Sequence, residues 1–246
     1  MGTSDAFYVY GIVPADASLE EIEASAGMGS GVRLVTEGAV GALVEAIDPE
    51  QPLGRRKDLL AHSTVLNAMA AQGPVLPMRF GSVVADEEAV VEELLRPQQD
   101  HFTEMLEGVR GKVQLNLRAR YELDTVLAEI VQNRPDIAEL RERTADLPED
   151  ATHYDRIRLG ELVAHEVDER RSRDSGRILD QLVQHAEDYL VREVSGMDNL
   201  AELSFLVAEE DVAAFEDAAE GVAEQFVGRA RINLVGPMAL YDFLPE

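Results

Sequence analysis

There is no cysteine in this chain and no tryptophan. The first absence excludes disulfides, thiolate metal sites and cysteine nucleophiles. The second, with aromatics at only 5% of residues, argues against a stacking platform for bases or sugars. Lysine is nearly missing too: of 22 basic residues only Lys57 and Lys112 are lysines, against 48 aspartates and glutamates. The net charge of −26 repels nucleic acid and anionic lipid, so neither is expected as a partner. Dense carboxylate with scarce lysine fits a salt-adapted protein whose self-repulsion is screened by ions, and points to a halophilic source. No apolar run approaches the ~18 residues of a membrane span. The opening Met1-Gly2-Thr3-Ser4-Asp5 lacks the basic and apolar regions of a secretory signal. A soluble, intracellular protein is expected.

What is present is enough apolar material for real cores: 46% of 246 residues, the size of one large domain or two ordinary ones. Phe7–Val13 reads as a strand stopped by Pro14, and Val32–Glu37 and Val40–Ile47 as a hairpin or sequential strands. A loop with a short helical piece around Leu19–Ala24 lies between them. Arg55–Gln72 follows as a helix, with Leu59, Leu60, Val65, Leu66 and Met69 near helical spacing. The stretch Gly73–Val84 reads as a strand. Its prolines, Pro74 and Pro77, confine it to a sheet edge or a bulge. A lone cation in that run, Arg79, is expected in a structural salt link near a turn. Asp86-Glu87-Glu88 opens an acidic helix that Pro97 should kink or end. Residues 1–110 are therefore read as an N-terminal βββαβα sandwich.

Residues 111–246 repeat the mixture. Lys112–Tyr121, Leu200–Val207 and Arg229–Val235 alternate as strands, and Asp211–Phe226 is a helix with Asp211 as its expected N-cap. Tyr154–Val194 looks like one very long helix or two. Unbroken it would run about 60 Å at about 1.5 Å per residue, so its polar middle, Asp168–Arg177, is read as a solvated arm or loop. The fold class is α+β in two domains, the second a modified ferredoxin-like domain with long helices, a helical insertion and a C-terminal tail.

The search for chemistry returns little. Glu161, His165 and Glu169 share one helix face at metal-ligand spacing, with His185 and Asp188 as the only further ligands on offer. Acidic helices make such triplets by chance, and Arg170 and Arg171 flank this one. Gly27-Met28-Gly29-Ser30-Gly31 loosely resembles a phosphate loop, but no Lys-Ser/Thr follows, so a flexible loop is the better reading. No serine–histidine–aspartate pattern or nucleophile elbow is present. No catalytic residue, metal or cofactor is expected.

Four stretches carry a resemblance instead: Tyr8-Val9-Tyr10-Gly11-Ile12, Arg55–His62, Pro74-Val75-Leu76-Pro77-Met78-Arg79-Phe80-Gly81, and Gly236-Pro237 followed by Tyr241-Asp242-Phe243. In order and spacing the chain resembles the gas vesicle protein F/L family. It departs from that pattern with Gln114 and Leu115 after Lys112, and with Met238-Ala239-Leu240 in the tail. The resemblance implies a non-enzymatic role in building gas vesicles, as an assembly factor or minor component associated with the shell protein and other accessory proteins. Contact is expected through Met78, Arg79 and Phe80 on the edge strand and Met238, Leu240, Tyr241 and Phe243 in the tail. The arm Asp168–Arg177 is an alternative surface. A metal-dependent enzyme or a small-molecule sensor stays open as another class.

Overall fold

The computed structural model describes residues 6–20, 22, 27–28, 31–50 and 52–244. Half of the helical piece expected at Leu19–Ala24 (residues 21, 23 and 24), and Gly29 and Ser30, lie outside the described residues. The chain forms two compact units: Met1–Leu115 with Leu206–Glu210 and Gly236–Glu246, and Asn116–Phe205 with Asp211–Val235. The tail, grouped with the second half in the sequence reading, thus belongs to the first unit.

The first unit is built on a sheet of β1 (Ala6–Pro14), β2 (Arg33–Glu37), β3 (Val40–Ile47), β4 (Leu76–Pro77) and β5 (Val83–Val84). Its order is β2-β3-β1-β4, with β5 also pairing with β1, and each pairing is antiparallel. β1 is buried on both faces. Strict alternation would put Phe7, Val9 and Val13 together, but the β1–β3 register slips between Val9 and Gly11. That extra residue swaps the faces beyond it. Phe7, Val9 and Ile12 therefore share one core, and Tyr8, Tyr10 and Val13 the other.

Each face is covered by a helix. α1 (Arg56–Ala70) packs Val65, Leu66 and Met69 on the Tyr8 face, approaching so closely that a Cβ on Gly11 would lie 2.8 Å from Leu66. Leu59 and Leu60, expected inward, are exposed; Asp58 and His62 occupy the buried stripe instead. The opposite face is covered by α2 (Glu87–Ala89), a π-helical turn Val90–Leu95 and α3 (Arg96–Val109). Asp86 caps this run by accepting the Ala89 N–H at 2.8 Å. Pro97 does not end it, because it falls in the first turn of α3 and the π-helical turn passes the ladder to Arg96, whose N–H reaches Val91.

The second unit is organised on a sheet of order β7-β8-β6-β9. Its elements run β6 (Lys112–Tyr121), α4 (Leu123–Asn133), α5 (Pro135–Ala145), α6 (Glu149–Leu182), β7 (Asp188–Val191), β8 (Asn199–Ala208), α7 (Val212–Gln225) and β9 (Ala230–Met238). This is a β-α-β-β-α-β order with three helices in the first crossover. β7 was expected as the end of a helix. A short apolar run such as Tyr189-Leu190-Val191 suits either state, and pairing with β8 decides it. Asp211 makes no side-chain cap to α7.

α6 is unbroken for 34 residues, so the expected solvated arm or loop at Asp168–Arg177 is a correction. Its middle lacks apolar side chains because its inward face is ionic. Arg170 bonds Glu129 at 2.9 Å and Glu166 at 3.3 Å, and Glu166 accepts from Arg134 at 2.6 Å. Asp174 accepts from Tyr121 at 2.9 Å and Arg229 at 3.3 Å. Burial raises the Glu166 carboxyl, but the bonds from Arg134 and Arg170 outweigh it and hold the group below the usual carboxylate range.

Candidate interaction surface

The motif at Gly73–Val84 is an edge, as its prolines require, but not one continuous strand. β4 and β5 each pair with β1, and Met78–Ser82 swings out between them. The excursion is anchored at both ends: Met78 N–H donates to the Tyr10 carbonyl and Val9 N–H to the Ser82 carbonyl, each at 2.9 Å. Its tip needs glycine, since Gly81 has φ +90°. Ser82 closes the turn by bonding the Arg79 carbonyl through its N–H at 3.1 Å and its hydroxyl at 2.8 Å. Arg79 itself is exposed and makes no ion pair among the described residues, which corrects the expected salt link.

Behind this tip lies an aromatic cluster. The rings of Tyr8, Tyr10, His62 and Phe80 meet at centroid distances of 4.8 to 6.0 Å. Tyr8 Oη pairs with His62 Nδ1 at 2.8 Å and accepts the Gly81 N–H at 3.3 Å. Burial pushes the Tyr8 phenol up to about 12, against the opposing pull of the Gly81 amide. Burial also lowers the His62 imidazole, with the Met78 carbonyl opposing. Among the described residues, Nε2 of His62 has no hydrogen-bond partner of good geometry.

Tyr10 leads to the glycine-rich loop. Its hydroxyl donates to the fully buried Glu45 at 2.5 Å, which also accepts the Met28 N–H at 2.6 Å and the Gly31 N–H at 3.0 Å. Backbone amides of this loop therefore do cradle an anion, and the anion is the protein's own carboxylate. That explains a phosphate-loop likeness without a phosphate.

The tail returns to the same unit. Ala239 and Leu240 are 1% and 3% exposed, so Leu240, expected as a contact residue, is core. Leu240 shares one cluster with Met78 and Phe243, and Ala239 shares the other with Phe80. Gln114 holds the segment down, donating from Nε2 to Asp242 at 2.7 Å and accepting the Asp242 N–H at 3.0 Å. Tyr241 stays 40% exposed, and its phenol is raised to about 12 by burial and then by Tyr8. Two motifs far apart in sequence thus meet. Arg79 and Tyr241 are presented outward, and Met78, Phe80, Met238 and Phe243 are half-buried.

In the second unit, His165 pairs with Glu169 at 3.4 Å on the exposed side of α6, and no three His, Asp or Glu side chains among the described residues form a metal-binding group. A feature the sequence reading missed is a groove of about 390 Å³ lined by Leu127, Val131, Ile137, Leu159 and Val163, with Asp124 and Arg141 at its margin. The half-buried helical leucines and valines of α4 and α6 are its only trace in the sequence. No helix among the described residues is long and apolar enough to cross a membrane.

Comparison with known proteins agrees with this architecture. The chain is 33% identical over 241 residues to gas vesicle protein F of a Streptomyces species, covering 96% of this chain and 98% of that one. It is 27% identical to gas vesicle protein L of the same organism, covering 99% and 94% of the two chains. Crystal structures of the gas vesicle protein GvpF from Anabaena sp. PCC7120 and Microcystis aeruginosa superpose with TM-scores of 0.79 and 0.77, each at 23% identity. The coverage is 99% of both chains for the first, and 98% of this chain and 99% of the other for the second. The sequence pattern of the family described as gas vesicle synthesis protein GvpL/GvpF matches residues 6–245, which takes in both sheets, the Arg79 turn and the tail, and the chain belongs to that family.

Proposed function

We propose that this chain is a non-enzymatic accessory protein of gas vesicle assembly that binds the shell protein, and through it or beside it other accessory proteins. The observation that carries the reading is the family match over residues 6–245, which leaves neither unit outside a family named for gas vesicle synthesis. The physical need is plain. A shell subunit must be apolar where it faces gas, so before assembly it is an aggregation hazard. A partner with a net charge of −26 keeps such a complex soluble.

The contact we assign is the outward surface of Arg79 and Tyr241 with the edges of Phe80, Met238 and Phe243. One exposed cation among apolar side chains fits an apolar segment that carries a carboxylate. Half-buried Met78 belongs to the same surface, and Leu240 supports it from the core.

The test is capture of the shell protein by this chain at molar salt. Removing the tail after Pro237 would delete core residues, so point variants serve better. Arg79→Glu and Tyr241→Ala should lower capture several-fold with the fold intact. Undiminished capture by both would move the contact elsewhere, and Leu159→Glu in the helical groove would locate it. No capture by a folded wild-type protein would refute direct shell binding.

A further inference from the structure

Strand β7 is a four-residue edge strand without lysine or proline, and among the described residues no further strand covers its outer side. Edge strands in soluble proteins carry lysine, proline or inward charges to prevent pairing with another chain. Here Tyr189, Leu190 and Val191 are 43%, 41% and 55% exposed on the rim of the sheet.

Backbone geometry says which groups face outward. Arg192 N–H donates to the Glu202 carbonyl at 3.0 Å, so Arg192 points its backbone inward to β8. Successive residues alternate, which turns the N–H and C=O of Tyr189 and Val191 to the open edge. One guard is local: the Tyr189 N–H is held by the carboxylate of Asp188 at 2.8 Å.

The run Asp188-Tyr189-Leu190-Val191-Arg192 is complementary to itself when reversed. Set antiparallel about a two-fold axis at Leu190, Tyr189 faces Val191 of a second copy and exchanges both backbone bonds with it. Leu190 then faces Leu190, and Asp188 faces Arg192 in the close, non-hydrogen-bonded pair. Sliding the register by two residues in either direction spoils this, placing Val191 against Glu187 or Tyr189 against Glu193. The Asp188 carboxylate released from Tyr189 has its new partner across the axis.

We propose that β7 pairs with β7 of a second copy of this chain, joining the two four-stranded sheets through an isologous edge. The area of so short a strand makes the dimer weak and concentration-dependent. Two chains of charge −26 repel each other at long range, so the dimer strengthens as salt is added, opposite to an association held by surface charge attraction. The proposal does not depend on shell binding, because it concerns the purified chain alone.

Sedimentation velocity over a concentration series, at low and molar salt, tests it. Asp188→Arg and Arg192→Asp should each weaken the dimer roughly tenfold, and the double exchange should restore it. Val191→Pro removes an outward N–H that no strand of the monomer uses, and should abolish dimerisation without lowering the unfolding midpoint. A monomer throughout the series, or a dimer indifferent to Val191→Pro and to the charge exchange, overturns the proposal.

Discussion

Replacing Leu240 with alanine separates a tail that is core from a tail that is only surface. Leu240 is 3% exposed and packs with Phe7, Ile12, Leu76 and Leu106 in one cluster. The change removes three buried carbons, about 2.4 kcal/mol at about 0.8 kcal/mol each. Incomplete collapse of the void adds to this, for an expected loss of about 3–4 kcal/mol. Urea unfolding at molar salt, with a slope of about 2–3 kcal/mol per molar, would show the midpoint falling by more than about 1 M. Tyr241→Ala, at a position 40% exposed, should cost under about 1.5 kcal/mol in the same assay. Equal midpoints for the wild type and Leu240→Ala, with the slope unchanged, would refute the packing of the tail against β1.

Four further outcomes are expected. His62 has a folded pKa below its ordinary value of 6.5, chiefly through burial. The unfolded chain therefore takes up its proton first, so stability is full above about pH 6.5 and falls as pH drops through that value; His62→Gln should flatten the loss between about pH 7 and pH 5, read from urea midpoints. Glu45→Gln, which weakens the charge-assisted bonds from Met28 and Gly31, should cost about 1–3 kcal/mol by thermal unfolding, and an unchanged midpoint would discount the cradle. Glu166→Gln should cost about 3 kcal/mol by leaving Arg134 and Arg170 short of a buried partner. Breaking the exposed Arg231–Glu122 pair should cost less than about 0.5 kcal/mol in the same measurement.

Some of this protein follows from residue order alone. The alternation of Lys112–Tyr121 makes a strand wherever it lies, because a period of two can bury only one face. The prolines at 74 and 77 place their segment on an edge, because they offer no N–H to a neighbour on both sides. Other features exist only through partners distant in sequence. The slip at Val9/Gly11 reassigns Ile12 and Val13 to opposite cores, and nothing local announces it. Tyr189-Leu190-Val191 is a strand because β8 is there to pair with it. The polar middle of α6 looks solvated until Glu129, Arg134 and Arg229 arrive from other elements to satisfy its charges. Leu59 and Leu60 face outward because His62 and Asp58 take the buried stripe, and that choice rests on Tyr8, more than 50 residues away. Leu240 reads as an apolar tail and is core for the same reason. Local periodicity sets the kind of element, whereas burial is settled by which surface each element meets, and only the folded chain supplies that surface.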